Sequence, residues 1–180
     1  MINPCINRLS AMALVMTCLT TSVVSHAAET TTRLGDLILT HDATRWLATP
    51  GADGAIVLQT PAGSGSGRAP VLVTRQPATD RAACAPEASR LLPHPLYGNP
   101  VASETAASGA VAWLRYSVHM GCRNRTPKGE VFCAFHGDHI YTVTVRQSSC
   151  RGGPSDFVNQ EWLADLLNAA AFVSGDGPGK

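Results

Sequence analysis

The sequence predicts an α+β fold: an antiparallel β-meander sheet with a C-terminal helix packed on one face, a short middle helix and two disulfides. Three observations carry this expectation. Short runs of β-branched and aromatic residues, bounded by Gly, Pro, Asn and Asp, recur along the chain. Residues 155–173 place apolar side chains at helical spacing. Cys84, Cys122, Cys133 and Cys150 form an even set in a chain that carries an export leader.

The leader is read from residues 1–27. A short polar stretch with Arg8 precedes an apolar run from Leu9 to Val24, and Ser25-His26-Ala27 offers small residues where a signal peptidase reads. The apolar run is short and rich in Ser and Thr, against the ~20 apolar residues a spanning helix needs. Thr17 before Cys18 fits a lipid-attachment box poorly. Cleavage after Ala27 leaves a single α+β domain over 28–173 and a disordered tail at 174–180. The expected location is the periplasm or the exterior of a bacterial cell.

Charge narrows the partners. Of the 14 Lys and Arg, Arg8 falls in the leader, so 13 face 13 Asp and Glu in the exported part. No basic stripe is present to neutralise a nucleic-acid backbone or an anionic membrane.

The elements follow in order. Residues 28–33 (AETTTR) are polar and read as loose. GDLILT (35–40) is a strand, as are AIVLQT (55–60) and PVLVTRQ (70–76), with AGSGSGR (62–68) as a flexible hairpin tip. No helix start or lysine follows those glycines, so they do not suit a phosphate-binding loop. Residues 79–92 read as a short helix broken at Pro86, and 93–109 as a long irregular loop. AVAWLRYSVHMGC (110–122) reads as one long strand, with Leu114, Tyr116, Val118 and Met120 on one face and Trp113, Arg115, Ser117 and His119 on the other. VFCAF and IYTVTVR form a hairpin. The final helix (155–173) begins at a Ser155 or Asp156 cap and buries a stripe of Val158, Trp162, Leu166, Ala170 and Val173.

This order of elements resembles the PsbP-like family of small exported proteins, in which a twisted antiparallel sheet is flanked by helices and closed by a C-terminal helix. The resemblance spans most of the exported part and rests on element order. It implies a fold and no residue roles.

VFCAFHGDHIYTVTV (131–145) packs a cysteine, two histidines and an aspartate into seven positions, as a metal site would. Strand geometry separates them. A turn at Gly137-Asp138 pairs His136 with His139, Phe135 with Ile140, Ala134 with Tyr141 and Cys133 with Thr142. Cys133 lies an odd number of residues from His136 and points to the opposite face. What remains is the cross-strand pair His136 and His139, with Cβ atoms roughly 5 Å apart, able to hold Zn²⁺ or Cu²⁺ only with a further ligand. His41, His94 and His119 are the candidates for it.

The cysteines read as scaffold. A turn centred on Pro127-Lys128 sets Cys122 opposite Cys133, which favours Cys122–Cys133 and leaves Cys84–Cys150. Cys84–Cys133 with Cys122–Cys150 stays open. None forms a C-x-x-C pair, so thiol exchange chemistry and a zinc ribbon are not indicated.

The sequence shows no G-x-S-x-G elbow, no H-E-x-x-H and no dinucleotide fingerprint. The expected function is therefore a non-catalytic binding or accessory protein of the cell envelope, including the inhibitor and immunity types. Arg123, Arg125, Lys128 and Arg151, with His94 and Tyr97 from the long loop, are its candidate contacts to a protein partner or small ligand. A metal-binding protein using His136 and His139 is the alternative. A hydrolase without a recognisable motif is the second. No cofactor is implied apart from that zinc or copper.

Overall fold

The computed structural model describes residues 28–61, 69–92, 100–104, 109–118, 129–146 and 160–173. The fold is α+β: antiparallel strands with two helices among the described residues. No helix among them is long and apolar enough to cross a membrane.

One sheet has seven strands: β3 (Leu47–Pro50), β4 (Ile56–Gln59), β5 (Val71–Pro77), β6 (Val101–Glu104), β7 (Leu114–Val118), β8 (Gly129–His136) and β9 (His139–Arg146). Their spatial order is β3-β4-β5-β9-β8-β7-β6. Two meanders, β3 to β5 and β6 to β9, join where β5 pairs with β9. The single sheet expected from the sequence becomes two. β1 (Glu29–Leu34), β2 (Leu37–Asp42) and β10 (Ala170–Phe172) form a separate sheet in the order β1-β2-β10, so the two ends of the described chain pair through β2.

Alternation along the strands covers both faces of the larger sheet. Phe132 and Ala134 of β8, with Tyr141, Val143 and Val145 of β9, join an apolar cluster containing Leu37 and Leu39 of β2 and Leu163, Leu166 and Leu167 of α2 (Gln160–Asn168). Val131, Cys133 and Ile140 point the other way, into a cluster with Cys84, Ala88 and Leu91 of α1 (Cys84–Leu91). Each such aliphatic side chain contributes about 1.5–3 kcal/mol when fully buried. Tyr141 is fully buried and ties the sheets together. Its hydroxyl oxygen accepts the Asp36 N–H at 3.3 Å, and its ring meets Phe172 of β10 at 5.1 Å.

Two hairpins use one device. Gly35-Asp36 joins β1 to β2 and Gly137-Asp138 joins β8 to β9, with glycine φ at 59° and 62°. A positive φ at the first central position is what such a two-residue turn requires, and glycine adopts it without strain. The 8-to-9 register is the expected one: His136 pairs with His139, Phe135 with Ile140, Ala134 with Tyr141 and Cys133 with Thr142.

Several expectations are corrected. Residues 29–34, read as loose, form β1; its threonines alternate and pair along β2. The middle helix is not broken at Pro86. A 3₁₀ turn at Arg81–Ala83, capped by the Asp80 carboxylate accepting the Ala82 N–H at 2.8 Å, leads into α1. Pro86 then sits in the first turn, where its missing N–H has no intrahelical partner to lose. The long irregular loop contains β6, an edge strand with Val101 66% exposed. Of the strand read over 110–122, Leu114–Val118 form β7 and 119–122 lie outside the described residues; its faces alternate as expected, with Tyr116 and Val118 in the α1 cluster and Trp113 in the other. The C-terminal helix read to 173 stops at Asn168, because Ala170 and Phe172 pair with Leu39 and Leu37 of β2. Its buried residues are Leu163, Leu166 and Leu167, with Trp162 half-buried. Val158 and the Ser155 or Asp156 cap lie outside the described residues, as do the leader and the 174–180 tail.

The favoured cysteine pairing is also overturned. Cys84 is bonded to Cys133, with Cα atoms 5.8 Å apart. Val118 pairs with Gly129, a register that sets Cys133 opposite Leu114 and not opposite Cys122. Cys133 points to the α1 side of the sheet, where the first residue of that helix meets it. Cys122 and Cys150 lie outside the described residues.

Candidate functional site

The bonded helix builds a cleft. α1 packs on β8 and β7, and beside it the described residues leave a cleft on the same face of the larger sheet over β5 and β9. The resulting cavity is about 700 Å³, within the ~300–1,000 Å³ range of small-molecule and side-chain pockets. Its floor is Leu72, Thr74 and Gln76 of β5 with Ile140 of β9. Glu87, Arg90 and Leu91 of α1 wall one side, and the β3–β4 turn at Ala52, Asp53 and Ala55 the other.

The sequence positions these groups by simple rules. β5 alternates, so Val71 and Val73 go to the core while Leu72, Thr74 and Gln76 face the cleft. Glu87 and Arg90 are three apart on α1 and share a helix face. They lock in a two-point ion pair: Arg90 donates Nε–H to Glu87 Oε2 at 2.7 Å and a terminal N–H to Oε1 at 2.6 Å. Glu87 through that hydrogen-bonded fork, and then through its charge, raises the Arg90 guanidinium above its ordinary range. The Glu87 side chain is nearly buried while Arg90 is 60% exposed, so the pair offers its cationic side outward. Thr74 and Thr142 hydroxyls share a 2.6 Å hydrogen bond beneath the floor.

The helix end is placed by close approach. A Cβ at Gly129 would lie 2.6 Å from Leu92 Cδ2, so the absent side chain lets the end of α1 close onto the start of β8. Val118 and Arg146 flank Gly129 in register. The ends of β7 and β9 at Val118 and Arg146 therefore lie by the end of α1 at Leu92. The predicted contacts Arg123, Arg125, Lys128, Arg151, His94 and Tyr97 lie outside the described residues.

The two histidines are paired as the sequence predicts but engaged separately. His136 stacks on Phe172, with centroids 4.1 Å apart and planes 5° from parallel. His139 Nδ1 lies beside the Asp138 carboxylate and 3.2 Å from the Arg75 guanidinium, a neighbour that opposes a bound cation. No group of three His, Cys, Asp or Glu among the described residues is arranged to hold a metal ion.

A helix broken at Pro86, as the sequence predicts, does not set Glu87 and Arg90 on one face; the unbroken α1 does. Their opposite charges at i and i+3 were the available signal. Glu130 of β8 is 2% exposed and held by a two-nitrogen contact from Arg115, its neighbour on β7.

No family model matches the chain, and no curated protein matches it. Among solved structures it is similar to a protein from Bacteroides thetaiotaomicron VPI-5482, at 11% identity and a TM-score of 0.43 over 78% of this chain. The match spans 46% of that protein, less than half of its length.

Proposed function

We propose that the chain is an exported, non-catalytic binding protein that docks an envelope or secreted partner in the cleft beside α1. The observation that supports this most is the covalent anchoring of one cleft wall: Cys84–Cys133 fixes the start of α1 to the middle of β8. A pre-set wall lowers the ordering cost of binding. The cleft's chemistry suits recognition. Its floor mixes apolar and hydroxyl groups, and its buried acid is neutralised by Arg90 instead of standing free as a base.

The partner is acidic in this reading. Arg90 stands at the cleft rim, and Arg123, Arg125, Lys128 and Arg151 lie on the segments that follow the adjoining strand ends. A second disulfide completes the staple. With Cys84 and Cys133 joined, Cys122 and Cys150 remain, each four residues beyond a strand end that flanks Gly129.

The test is capture from periplasmic extract by the purified protein and by Ala55→Trp, which fills the cleft. Wild-type protein should retain an acidic partner that the filled variant loses while keeping its melting temperature. Equal capture by both places the contact elsewhere.

A further inference from the structure

The floor of the α1 cleft holds a hydroxyl hydrogen that the protein does not use. Thr74 and Thr142 share a 2.6 Å hydrogen bond in which either oxygen can be the donor. Burial decides the direction. Thr142 is fully buried, and Thr74 is its one hydrogen-bond partner among the described residues. Were Thr74 the donor, the Thr142 O–H would be stranded in the interior, desolvated with nothing in return. Thr142 therefore donates, and the Thr74 hydrogen is left for another acceptor. Thr74 is 8% exposed and lines the cleft.

The groups around it narrow what that acceptor belongs to. Gln76, two residues along β5 on the same floor, carries an amide whose donor and acceptor complement the C=O and N–H of a peptide unit. Leu72, Ile140 and Leu91 supply aliphatic surface beside it. No described residue lining the cleft is aromatic, so a sugar ring or a nucleobase finds no face to stack on. Charge is confined to the walls, with Asp53 on one and the Glu87–Arg90 pair on the other. The group seated on the floor is therefore neutral.

We propose that the cleft seats an extended, uncharged peptide segment of the docked partner. One backbone carbonyl accepts from Thr74, a peptide unit pairs with Gln76, and an aliphatic side chain lies against Leu72 and Ile140. The partner's acidic residues flank this segment, toward the exposed Arg90 at the rim. This inference rests on the cleft being the docking site and adds the class of group that enters it.

The probe is acetyl-Gly-Leu-Gly-amide, titrated into the full exported protein while the backbone amide resonances of β5 and β9 are followed. Methyl glucoside is the control. Saturable shifts with the peptide are expected. Thr142→Val removes only the buried member of the bond and should bind as wild type does. Thr74→Val with Thr142→Val replaces both partners by apolar groups of the same shape, a change nearly neutral to stability, and should bind about tenfold more weakly for want of the donor. Undiminished binding by the double variant, lost binding in Thr142→Val alone, or equal binding of the glucoside overturns the proposal. If the peptide moves no β5 or β9 resonance while Ala55→Trp still loses the captured partner, the peptide inference alone falls. Equal capture by wild type and Ala55→Trp overturns the docking site itself.

Discussion

Replacing Cys84 and Cys133 together by alanine removes the covalent tie between α1 and β8. The bridge spans 49 residues of sequence. Closing a loop of that length in the unfolded chain lowers its entropy by about 14 cal/mol/K, or ~4 kcal/mol at 25 °C in the chain-entropy account. Both sulfurs are fully buried between the helix and the sheet, so a small packing loss adds to this. For a domain of this size each kcal/mol moves the melting temperature by about 2–4 °C. The double variant should therefore melt roughly 8–16 °C lower by circular dichroism under non-reducing conditions. Ala88, Leu91 and Leu92 also hold α1 on the sheet, so the helix should persist at low temperature. A shift below about 3 °C, less than 1.5 kcal/mol on that scale, would show that packing alone fixes α1 and would remove the reason for a pre-set cleft wall.

Three further outcomes follow from the buried polar groups and one tight contact. Burial lowers the pKa of His41 from 6.5, with the Asp42 backbone and charge pulling weakly the other way. The unfolded chain then binds the proton first as pH falls, so stability present above pH 6.5 should decline as pH drops below it, and His41→Gln should flatten that slope in pH-dependent thermal melts. Arg115→Met leaves Glu130 buried without its partner and should cost about 3 kcal/mol in urea denaturation, since breaking such a pair strands a charge. Gly109→Ala sets a Cβ 2.6 Å from the Asn168 carbonyl oxygen and 2.9 Å from its Cα, both backbone. It should lower stability by ~1–3 kcal/mol without altering secondary structure.

Local rules reached far where a turn fixes parity. Gly137-Asp138 determined every pair of the β8–β9 hairpin and separated Cys133 from His136, because a period of two leaves one register once the turn is placed. The same dipeptide at Gly35-Asp36 makes the β1–β2 hairpin. That signal was legible, but the polar threonines before it hid the strand. Other elements depend on contacts distant in sequence. Ala170–Phe172 continues the helical spacing of α2, and pairing with β2 overrides that local preference. Cys133 could be matched to Cys84 only after the β7–β8 register was known, and residues 119–128 carry no turn signal strong enough to set it. The candidate cleft was hidden for the same reason. It is made by α1 packing on β7 and β8 beside β5 and β9, a relation between segments with no trace in any one of them.

Non-reducing peptide mapping of the exported protein tests the central claim most directly, since the cleft exists because α1 is bonded to β8. The account predicts a peptide pair joined through Cys84 and Cys133, with Cys122 and Cys150 joined to each other. A Cys122–Cys133 or Cys84–Cys150 link, or free thiols at positions 84 and 133, would contradict it.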